Sequence, residues 1–400
     1  MHIFFTGATG FLGSYLLKHL LQDGYHCHVL VRCPNKASGK LRVLESLDQI
    51  SAFNYVDPDQ IHVVPGDLTQ PLLGISAVDL EQVIHHCDQF IHCASSARLD
   101  IPYEMARSIN LNGTEQLLDI AQRRQSRGGV KRIDIVSSAY VAGNFNGVVK
   151  EGAPLKGILF RNSYEQTKYE AEVYATNKMV ELPIAIFRPS IIVGEADNGK
   201  THNFNNIYSF LKLYTRDQWR ILPANKDTQV DLVSVDYVRD AMLSIRRNPE
   251  SIGGVFHLTA GEGNVLTIAD IVQLAEKCCD TTEKLLYQPT SIWLKVILPL
   301  LSCCLFFIPI KKYKTIMSIL KSCLPYTQQN PQFNDDKTRQ LLHDTGIKPG
   351  AIRVSFTNVV NYAIASNFGQ YKIKNYSMDK HRPLTLTDAD LAMHKVSMGS

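Results

Sequence analysis

The sequence predicts an α/β fold, a doubly wound parallel sheet with a smaller, mostly helical C-terminal lobe. Up to about residue 190, short runs of apolar and β-branched residues alternate with helical patterns, which is typical of strand–helix–strand units. Phe11–Gln22 and Met105–Arg124 carry apolar residues at helical spacing and predict helices that cover the sheet. The runs predict six strands: His2–Thr6, Tyr25–Val31, Ile61–Val64, Gln89–Cys93, Arg132–Ser137 and Ile184–Phe187.

The pattern becomes looser after residue 190. It predicts a helix near Asn206–Tyr214, a strand followed by a helix within Val230–Ile245, a strand at Val255–Leu258 and a helix at Ile268–Cys278. We therefore predict that residues 1–190 and 229–260 form the sheet domain and that residues 191–228 and 261–368 form the second lobe. Residues 369–400 lack periodicity and are expected to form a tail.

The composition excludes several classes of protein. The net charge is only +4 and no long basic run occurs, so nucleic-acid binding is not expected. The nine cysteines include no pair at zinc-ribbon spacing, which predicts reduced thiols and no metal site. The first residues lack the basic and apolar regions of a signal peptide, and we expect a cytoplasmic protein. The oligomeric state is not predicted.

A glycine-rich turn follows the first predicted strand. Its residues are Thr6, Gly7, Ala8, Thr9, Gly10, Phe11, Leu12 and Gly13, and a leucine-periodic helix begins within it. Glycines allow a tight turn and a close approach to a pyrophosphate, and a helix N-terminus presents unpaired N–H groups to phosphates. Strand, turn and helix fall in the order that a dinucleotide site requires.

The end of the second predicted strand indicates which dinucleotide would bind. An acidic residue there would accept a hydrogen bond from a ribose 2′-hydroxyl, but the sequence has Arg32, with Arg42 ten residues later. Guanidinium groups suit a 2′-phosphate, so the sequence favours NADP(H). The alternative is that these cations form only a solvated loop face.

Tyr164 and Lys168 lie four residues apart, on one face of a predicted helix. Three other tyrosines have a lysine at the same spacing, and we choose Tyr164, which follows a strand ending near Ser138 and precedes a strand running into Pro189. That position is near the carboxyl edge of the sheet, where ligands bind. We expect the Lys168 ammonium to lower the pKa of Tyr164 and the Ser138 hydroxyl to hold a substrate oxygen.

Together these motifs resemble those of the extended short-chain dehydrogenases/reductases, over about residues 1–260. The resemblance implies a Rossmann domain with Tyr164 as general acid/base, Lys168 also on the nicotinamide ribose, Ser138 polarising the carbonyl and Asn110 as the helix asparagine of the extended group. It also implies cofactor contacts from the turn residues Thr6, Gly7, Thr9, Gly10, Phe11, Leu12 and Gly13, and from Asp67, Leu68, Ala94, Ser95, Pro189, Ser190 and Ile191.

Within that group the sequence is most similar to thioester reductases and fatty acyl-CoA reductases. The similarity lies in Leu30–Arg32, Val136–Val141, Arg188–Gly194 and a late stretch from Phe333 to Ile347. It implies NADPH-dependent reduction of an apolar acyl thioester, on coenzyme A or an acyl carrier protein, to an aldehyde or further to an alcohol. The alternatives are a dehydrogenase or epimerase of a sterol or nucleotide sugar, and a non-catalytic NADP-sensing protein.

One apolar segment, residues 293–310, is followed by several lysines. It permits three interpretations: an apolar lid over an acyl chain, a peripheral membrane contact extending through residues 293–321, or a core helix of the second lobe. Pro299 and Pro309 interrupt helical continuity, which suits a bent lid as well as an interfacial helix.

Overall fold

The computed structural model describes residues 1–50, 56–215, 221–279, 285–300, 311–328 and 331–371. Residues 301–310 of the apolar segment and residues 372–400 of the expected tail lie outside the described residues. The strands are β1 (His2–Thr6), β2 (His26–Val31), β3 (Ile61–Pro65), β4 (Gln89–His92), β5 (Arg132–Val136), β6 (Val148–Val149), β7 (Ile184–Pro189), β8 (Ile191–Val193), β9 (Ile221–Pro223), β10 (Gln229–Val230), β11 (Leu232–Ser234), β12 (Val255–Leu258), β13 (Leu266–Thr267), β14 (Leu286–Gln288) and β15 (Gln332–Phe333).

The longer helices surround the main sheet and fill the second lobe. They are α1 (Phe11–Gln22), α2 (Lys36–Gln49), α3 (Ala77–His86), α4 (Tyr103–Gly128), α5 (Ser163–Lys178), α6 (Ile207–Thr215), α7 (Val235–Arg247) and α8 (Ile268–Cys279). The later described helices are Thr290–Ile292, which continues into a π-helical turn over Trp293–Ile297, then Lys311–Cys323, Asp336–Leu342 and Ile352–Ala365.

The main sheet has seven parallel strands in the order β12-β7-β5-β4-β1-β2-β3, which confirms the predicted fold class. The six predicted strands are all present, and β12 adds a seventh along β7. The chain reverses its direction of winding between β1 and β4. In open α/β sheets this reversal opens a crevice at the carboxyl ends of the strands, where ligands bind.

Helices cover the sheet on both faces. Apolar residues of α1, α2 and α7 pack in one core cluster with Ile3, Phe5 and Val29 of the sheet. Residues of α3, α4 and α5 pack in a second cluster with Phe4 and Phe90. Because both faces are buried, the strands are apolar at successive positions rather than alternating.

The main difference in element length concerns α4. The apolar periodicity predicted Met105–Arg124, but α4 begins after Pro102 and ends at Gly128. The next residue, Gly129, has a φ of 81° and stops the helix, because glycine adopts this conformation without steric cost. The sequence did not predict the turns at both ends of α4, because they are polar and do not continue the apolar periodicity.

The second lobe has its own apolar core, in which α6, α8 and the helix Ile352–Ala365 pack together. A smaller cluster joins Trp293 and Leu298 to Leu320 and Leu324. The described part of the apolar segment therefore packs against the helix that follows it. In the portion of the chain that the structure describes, no helix combines the length and the hydropathy needed to cross a bilayer.

A late segment of the chain returns to the sheet domain. Strand β15 pairs with β6, and Phe333 packs with Ala139, Ala142 and Val149. The buried Glu151 carboxylate accepts hydrogen bonds from the backbone N–H groups of His257 (2.8 Å) and Lys337 (2.6 Å) and from the Thr338 hydroxyl (2.6 Å). Glu151 thus holds the first turn of the helix Asp336–Leu342 against β12.

Candidate active site

The glycine-rich turn has the geometry of an anion cradle. Gly7 has a φ of 81°, and a Cβ atom at this position would lie 2.4 Å from the Ala94 nitrogen. A Cβ atom at Gly13 would lie 2.0 Å from the Gly7 oxygen. No side chain caps the N-terminus of α1, and its first turn has no acidic residue. The turn therefore presents N–H groups and the positive end of the helix dipole, which fit a dinucleotide pyrophosphate.

Of the predicted 2′-phosphate residues, Arg32 directly follows β2 and Arg42 lies on α2. Arg42 contacts Arg32: its Nη1 donates a hydrogen bond to the Arg32 carbonyl oxygen at 3.0 Å. The Arg32 guanidinium is largely exposed and lies 3.8 Å from the Asp67 carboxylate. Hydrogen bonds from Thr69, with the Arg32 charge, hold the pKa of Asp67 below its usual value against the effect of its partial burial. Leu68 packs against α4 beside Gly113.

Ser138 and Tyr164 face one another across the crevice. Ser138 follows β5, is buried, and its hydroxyl accepts a hydrogen bond from the Tyr140 N–H at 3.2 Å. A hydrogen bond joins its side chain to the Tyr164 phenol. Tyr164 lies in the first turn of α5, where the Asn162 side chain caps the helix. The two hydroxyl groups together can bind one carbonyl oxygen of a substrate.

The expected lowering of the Tyr164 pKa is wrong for this structure. Burial raises the pKa of Tyr164, the hydrogen bond with Ser138 offsets only part of this effect, and the Glu165 charge adds to it. The Lys168 ammonium donates to the Val136 carbonyl oxygen at 2.7 Å rather than to the phenol. Burial lowers the pKa of Lys168 to about 8. Tyr164 therefore keeps its proton near neutral pH, and this is the form that can donate to a developing alkoxide.

Asn110 joins three elements around the crevice. Its Nδ2 donates to the Thr167 hydroxyl at 3.0 Å and to the Ser96 carbonyl oxygen at 3.3 Å, and its Oδ1 accepts from the Ser96 N–H at 2.8 Å. These bonds tie α4 to α5 and to the loop after β4. Asn110 is almost fully buried, so its role in this structure is to position the loop and the helix that carries Tyr164.

A cavity of about 490 Å³ runs from the glycine-rich turn into the second lobe. Ten predicted site residues line it: Gly10, Phe11, Leu12, Gly13, Ser95, Ser138, Tyr164, Pro189, Ser190 and Ile191. The other predicted residues lie outside its lining: Thr6, Gly7, Thr9, Arg32, Arg42, Asp67, Leu68, Ala94, Asn110 and Lys168.

The far walls of the cavity are mostly apolar and were not found from the sequence. They include residues from α6, α8 and the helix Lys311–Cys323: Leu213, Ile271, Ile319, Leu320 and Cys323. Tyr326 follows this helix, and its hydroxyl accepts from Asn162 Nδ2 at 2.8 Å. Burial raises the pKa of Tyr326 well above its usual value. The sequence signal nearest to this wall was the apolar segment 293–310 with the lysines that follow it.

A buried ionic network behind α5 was also missed. The Ser137 hydroxyl donates to the Glu172 carboxylate, which pairs with the Arg188 guanidinium. Arg188 also donates to the Gly152 carbonyl oxygen at 2.8 Å and lies 3.2 Å from His257 Nε2. Ser137 thus has a carboxylate partner behind the site, whereas Ser138 lies beside Tyr164.

His92 belongs to the scaffold of the turn. Its ring nitrogens hydrogen bond with the hydroxyls of Thr6 at 2.7 Å and Thr114 at 3.1 Å. Burial lowers the pKa of His92 to about 3, so the ring is uncharged at neutral pH. Among the residues that the structure describes, no group of three or more His, Cys, Asp or Glu side chains has the geometry to hold a metal ion.

The sheet topology, the glycine cradle and the Ser138–Tyr164 pair are those of the extended short-chain dehydrogenase/reductase fold. The profile of the family described as Male sterility protein matches residues 5–242. The chain belongs to this family, and the resemblance to thioester reductases and fatty acyl-CoA reductases is confirmed.

Individual relatives agree with this assignment. The chain is 29% identical over 276 residues to the nonribosomal peptide synthetase asaC of Aspergillus flavus, matching 64% of this chain and 26% of the synthetase. It is 23% identical over 303 residues to the fatty acyl-CoA reductase wat of Drosophila melanogaster, matching 66% of this chain and 58% of that protein. It therefore corresponds to only part of each relative's length.

Two solved structures share the fold. The terminal R domain of the myxalamid PKS-NRPS pathway superposes with a TM-score of 0.79 at 24% identity, covering 92% of this chain and 91% of that domain. The reductase domain of a nonribosomal peptide synthetase from Mycobacterium tuberculosis gives a TM-score of 0.70 at 18% identity, covering 93% and 92%.

Proposed function

We propose that the protein is an NADPH-dependent reductase that converts an apolar acyl thioester, on coenzyme A or an acyl carrier protein, to an aldehyde. The observation that carries this proposal is the single cavity shared by the glycine-rich turn, the Ser138–Tyr164 pair and the apolar wall around Leu320. The similarity to a nonribosomal peptide synthetase and to a fatty acyl-CoA reductase supports a thioester substrate. An apolar wall suits an acyl chain because burying each methylene stabilises the complex by about 0.8 kcal/mol.

The site residues would act on the thioester carbonyl. A bound nicotinamide would supply the hydride for the carbonyl carbon. The Ser138 hydroxyl would donate a hydrogen bond to the carbonyl oxygen, and Tyr164 would give that oxygen its proton, which forms a hemithioacetal. Tyr164 would then take the hydroxyl proton back as the C–S bond breaks, so that the aldehyde and a thiolate leave, and the thiolate takes a proton from solvent. No step uses a cysteine of this chain as a nucleophile.

The preference for NADPH rests on Arg32 and Arg42. Both side chains are exposed, Arg32 directly after β2 and Arg42 on α2, and they lie next to each other. Lys36 pairs closely with Asp79 at 2.6 Å, whereas Arg32 and Lys40 lie 3.8 Å from Asp67 and Asp59. The two arginines are our candidates for the 2′-phosphate, because a guanidinium group can bind a phosphate through two parallel hydrogen bonds.

For residues 293–300, the described part of the apolar segment, we favour the core-helix interpretation. Leu320 and Leu324 line the cavity, and Trp293 and Leu298 pack directly behind them. Peripheral membrane contact through residues 293–321 stays a prediction; it would use the exposed side chains of Ile292, Val296 and Leu300, which recur every four residues. Cosedimentation with anionic vesicles, compared with a Val296→Asp variant, tests that contact.

Turnover measurements test the function. We expect acyl-CoA-dependent oxidation of NADPH that accelerates with acyl chain length and yields an aldehyde, trapped as its hydrazone. Tyr164→Phe should lower turnover at least about a hundred-fold, because it removes the proton donor. Tyr174→Phe is the matched control, since Tyr174 lies on the same helix, also precedes a lysine by four residues and packs in the sheet-domain core.

The outcomes separate the candidate functions. Loss of NADPH oxidation in Tyr164→Phe but not in Tyr174→Phe supports the thioester reductase. If the protein binds NADPH but oxidises it with no acyl-CoA and no acyl carrier thioester, the proposed reductase function is contradicted. Oxidation that persists unchanged in Tyr164→Phe would show that the proposed proton donor is wrong.

A further inference from the structure

One tyrosine of the second lobe reaches the start of the helix that carries Tyr164. Tyr326 follows the helix Lys311–Cys323, and its hydroxyl accepts a hydrogen bond from Asn162 Nδ2 at 2.8 Å. The same hydroxyl donates to the Glu165 carboxylate, because a phenol has one proton to donate and a carboxylate can only accept. Asn162 and Glu165 lie on either side of Tyr164 in the sequence. A single hydroxyl of the second lobe therefore holds both flanks of the proposed proton donor.

Both partners of the Tyr326 hydroxyl fix the first turn of α5. The Asn162 side chain caps the helix, since its Oδ1 accepts from the Glu165 backbone N–H at 3.0 Å. The Glu165 carboxylate in turn accepts from the Arg161 backbone N–H at 2.9 Å and from the Arg161 guanidinium at 3.1 Å. Glu165 is fully buried, so its carboxylate relies on donors from the protein, Tyr326 among them. The position of the first turn, and with it that of Tyr164, therefore depends on a contact with the second lobe.

The Tyr326 ring also packs against the element that carries Ser138. Its centroid lies 5.6 Å from that of Tyr140, with the two planes at 78°. The Tyr140 N–H donates to the Ser138 hydroxyl at 3.2 Å. The Arg161 guanidinium lies 5.0 Å from the Tyr326 ring centroid, within the range of a cation–π contact. Tyr326 thus contacts the chain next to both hydroxyl groups of the Ser138–Tyr164 pair.

We propose that Tyr326 is a positioning residue that sets the place of Tyr164 through the capped first turn of α5. Tyr326 lines the cavity together with Leu320 and Cys323, so an acyl chain on that wall contacts the segment that holds the turn. Chain binding then improves the placement of the proton donor as well as the affinity, and interactions of this kind raise kcat rather than only lowering KM. The inference rests on the proposed function, because it requires Tyr164 to be the proton donor.

Steady-state kinetics of Tyr326→Phe test this role. The variant keeps the aromatic ring in the wall but loses the hydroxyl that bonds to Asn162 and Glu165. We expect kcat for acyl-CoA-dependent NADPH oxidation to fall about ten-fold and KM for the acyl-CoA to change by less than about two-fold, because a small misplacement of a reacting group slows the chemical step and leaves ground-state binding intact. The increase of kcat with acyl chain length should also become smaller.

Asn162→Ser and Tyr214→Phe are the companion variants. Asn162→Ser keeps a capping oxygen for α5 but removes the amide that donates to Tyr326, so its kcat loss should resemble that of Tyr326→Phe and the two losses should not add. Tyr214 is also a second-lobe tyrosine whose hydroxyl donates to a glutamate, Glu276 at 3.0 Å, but it does not line the cavity. Tyr214→Phe should therefore leave kcat unchanged.

Hydrogen exchange of the backbone N–H groups of residues 162–168, followed by mass spectrometry, reports the same contact without turnover. Exchange should be faster in Tyr326→Phe than in the wild type and in Tyr214→Phe. Unchanged exchange in Tyr326→Phe overturns the inference, and so does faster exchange with an unchanged kcat, or a rise in KM that accounts for the whole loss of kcat/KM. A wild-type protein that reduces no acyl thioester would instead overturn the proposed function, and the exchange result would still decide whether Tyr326 holds the turn.

Discussion

Removing Arg188 should destabilise the protein strongly, because it leaves a carboxylate buried without its counter-charge. Arg188 is 1% exposed and pairs with Glu172, also 1% exposed, and it donates to the Gly152 carbonyl oxygen at 2.8 Å. Breaking a buried ion pair from one side costs about 3–5 kcal/mol. We therefore expect Arg188→Met to lower the free energy of unfolding by about 4 kcal/mol.

Urea unfolding of a double-mutant cycle measures this effect. Glu172→Leu removes the carboxylate, so the double variant with Arg188→Met retains no unpaired charge. The double variant should lose less free energy of unfolding than the two single variants lose together. The difference should be at least about 1 kcal/mol, because the two side chains are directly coupled. A loss below about 1 kcal/mol for Arg188→Met, or losses that simply add, would refute the argument that the pair acts as a unit.

Four further predictions concern the cofactor, the proton donor, the substrate and the pH dependence of stability. Arg32→Ala should raise the Kd of NADPH about ten-fold and leave that of NADH unchanged, because an ionic hydrogen bond to the 2′-phosphate is worth about 1.5–3 kcal/mol; equal weakening of both cofactors contradicts this role. If the Lys168 ammonium is required, kcat/KM should fall as the pH rises through about 8, where the pKa of Lys168 lies, and Lys168→Arg should abolish that decline. Leu320→Trp should narrow the cavity and slow long acyl-CoAs more than short ones, which competition assays measure; a uniform loss would place Leu320 away from the chain. Burial lowers the pKa of His28 from 6.5 to about 3, so the stability from its neutral form is complete above about pH 6.5 and is lost as the pH falls toward 3. His28→Gln should reduce the slope of unfolding free energy in that range by about 1.4 kcal/mol per pH unit.

The sheet and the cofactor cradle could be predicted because their signals are local. A buried parallel strand is a short apolar run, and the turn after β1 shows its glycines in eight consecutive residues. The order of strand, turn and helix then fixes the placement of Gly7 and Gly13. Tyr164 was selected by its position between two predicted strands, and the structure does place it across from Ser138.

The rest of the site depends on contacts between residues that are far apart in the sequence. The Glu172–Arg188 pair joins a helix to a strand, and Tyr326 reaches Asn162 from 164 residues away. The apolar periodicity of a sequence gives no information about pairs of residues that are far apart in the chain. The predicted direction of the Tyr164 pKa shift was wrong for a related reason. Helical spacing places Lys168 on the same face as Tyr164, but it does not reveal that the Val136 carbonyl oxygen accepts the hydrogen bond of the Lys168 ammonium.

The Glu151 contact has a consequence for how the chain folds during synthesis. Glu151 bonds to Lys337 and Thr338, which follow it by 186 and 187 residues. Contacts of this sequence separation form late, because the entropy of closing a long loop must be lost before the contact stabilises it. The sheet domain therefore emerges from the ribosome before residue 338 is synthesised. Until then its edge next to β12 stays uncovered. During that interval the nascent chain exposes the apolar surface against which Phe333 later packs. Chaperones that shield exposed apolar surfaces would act there.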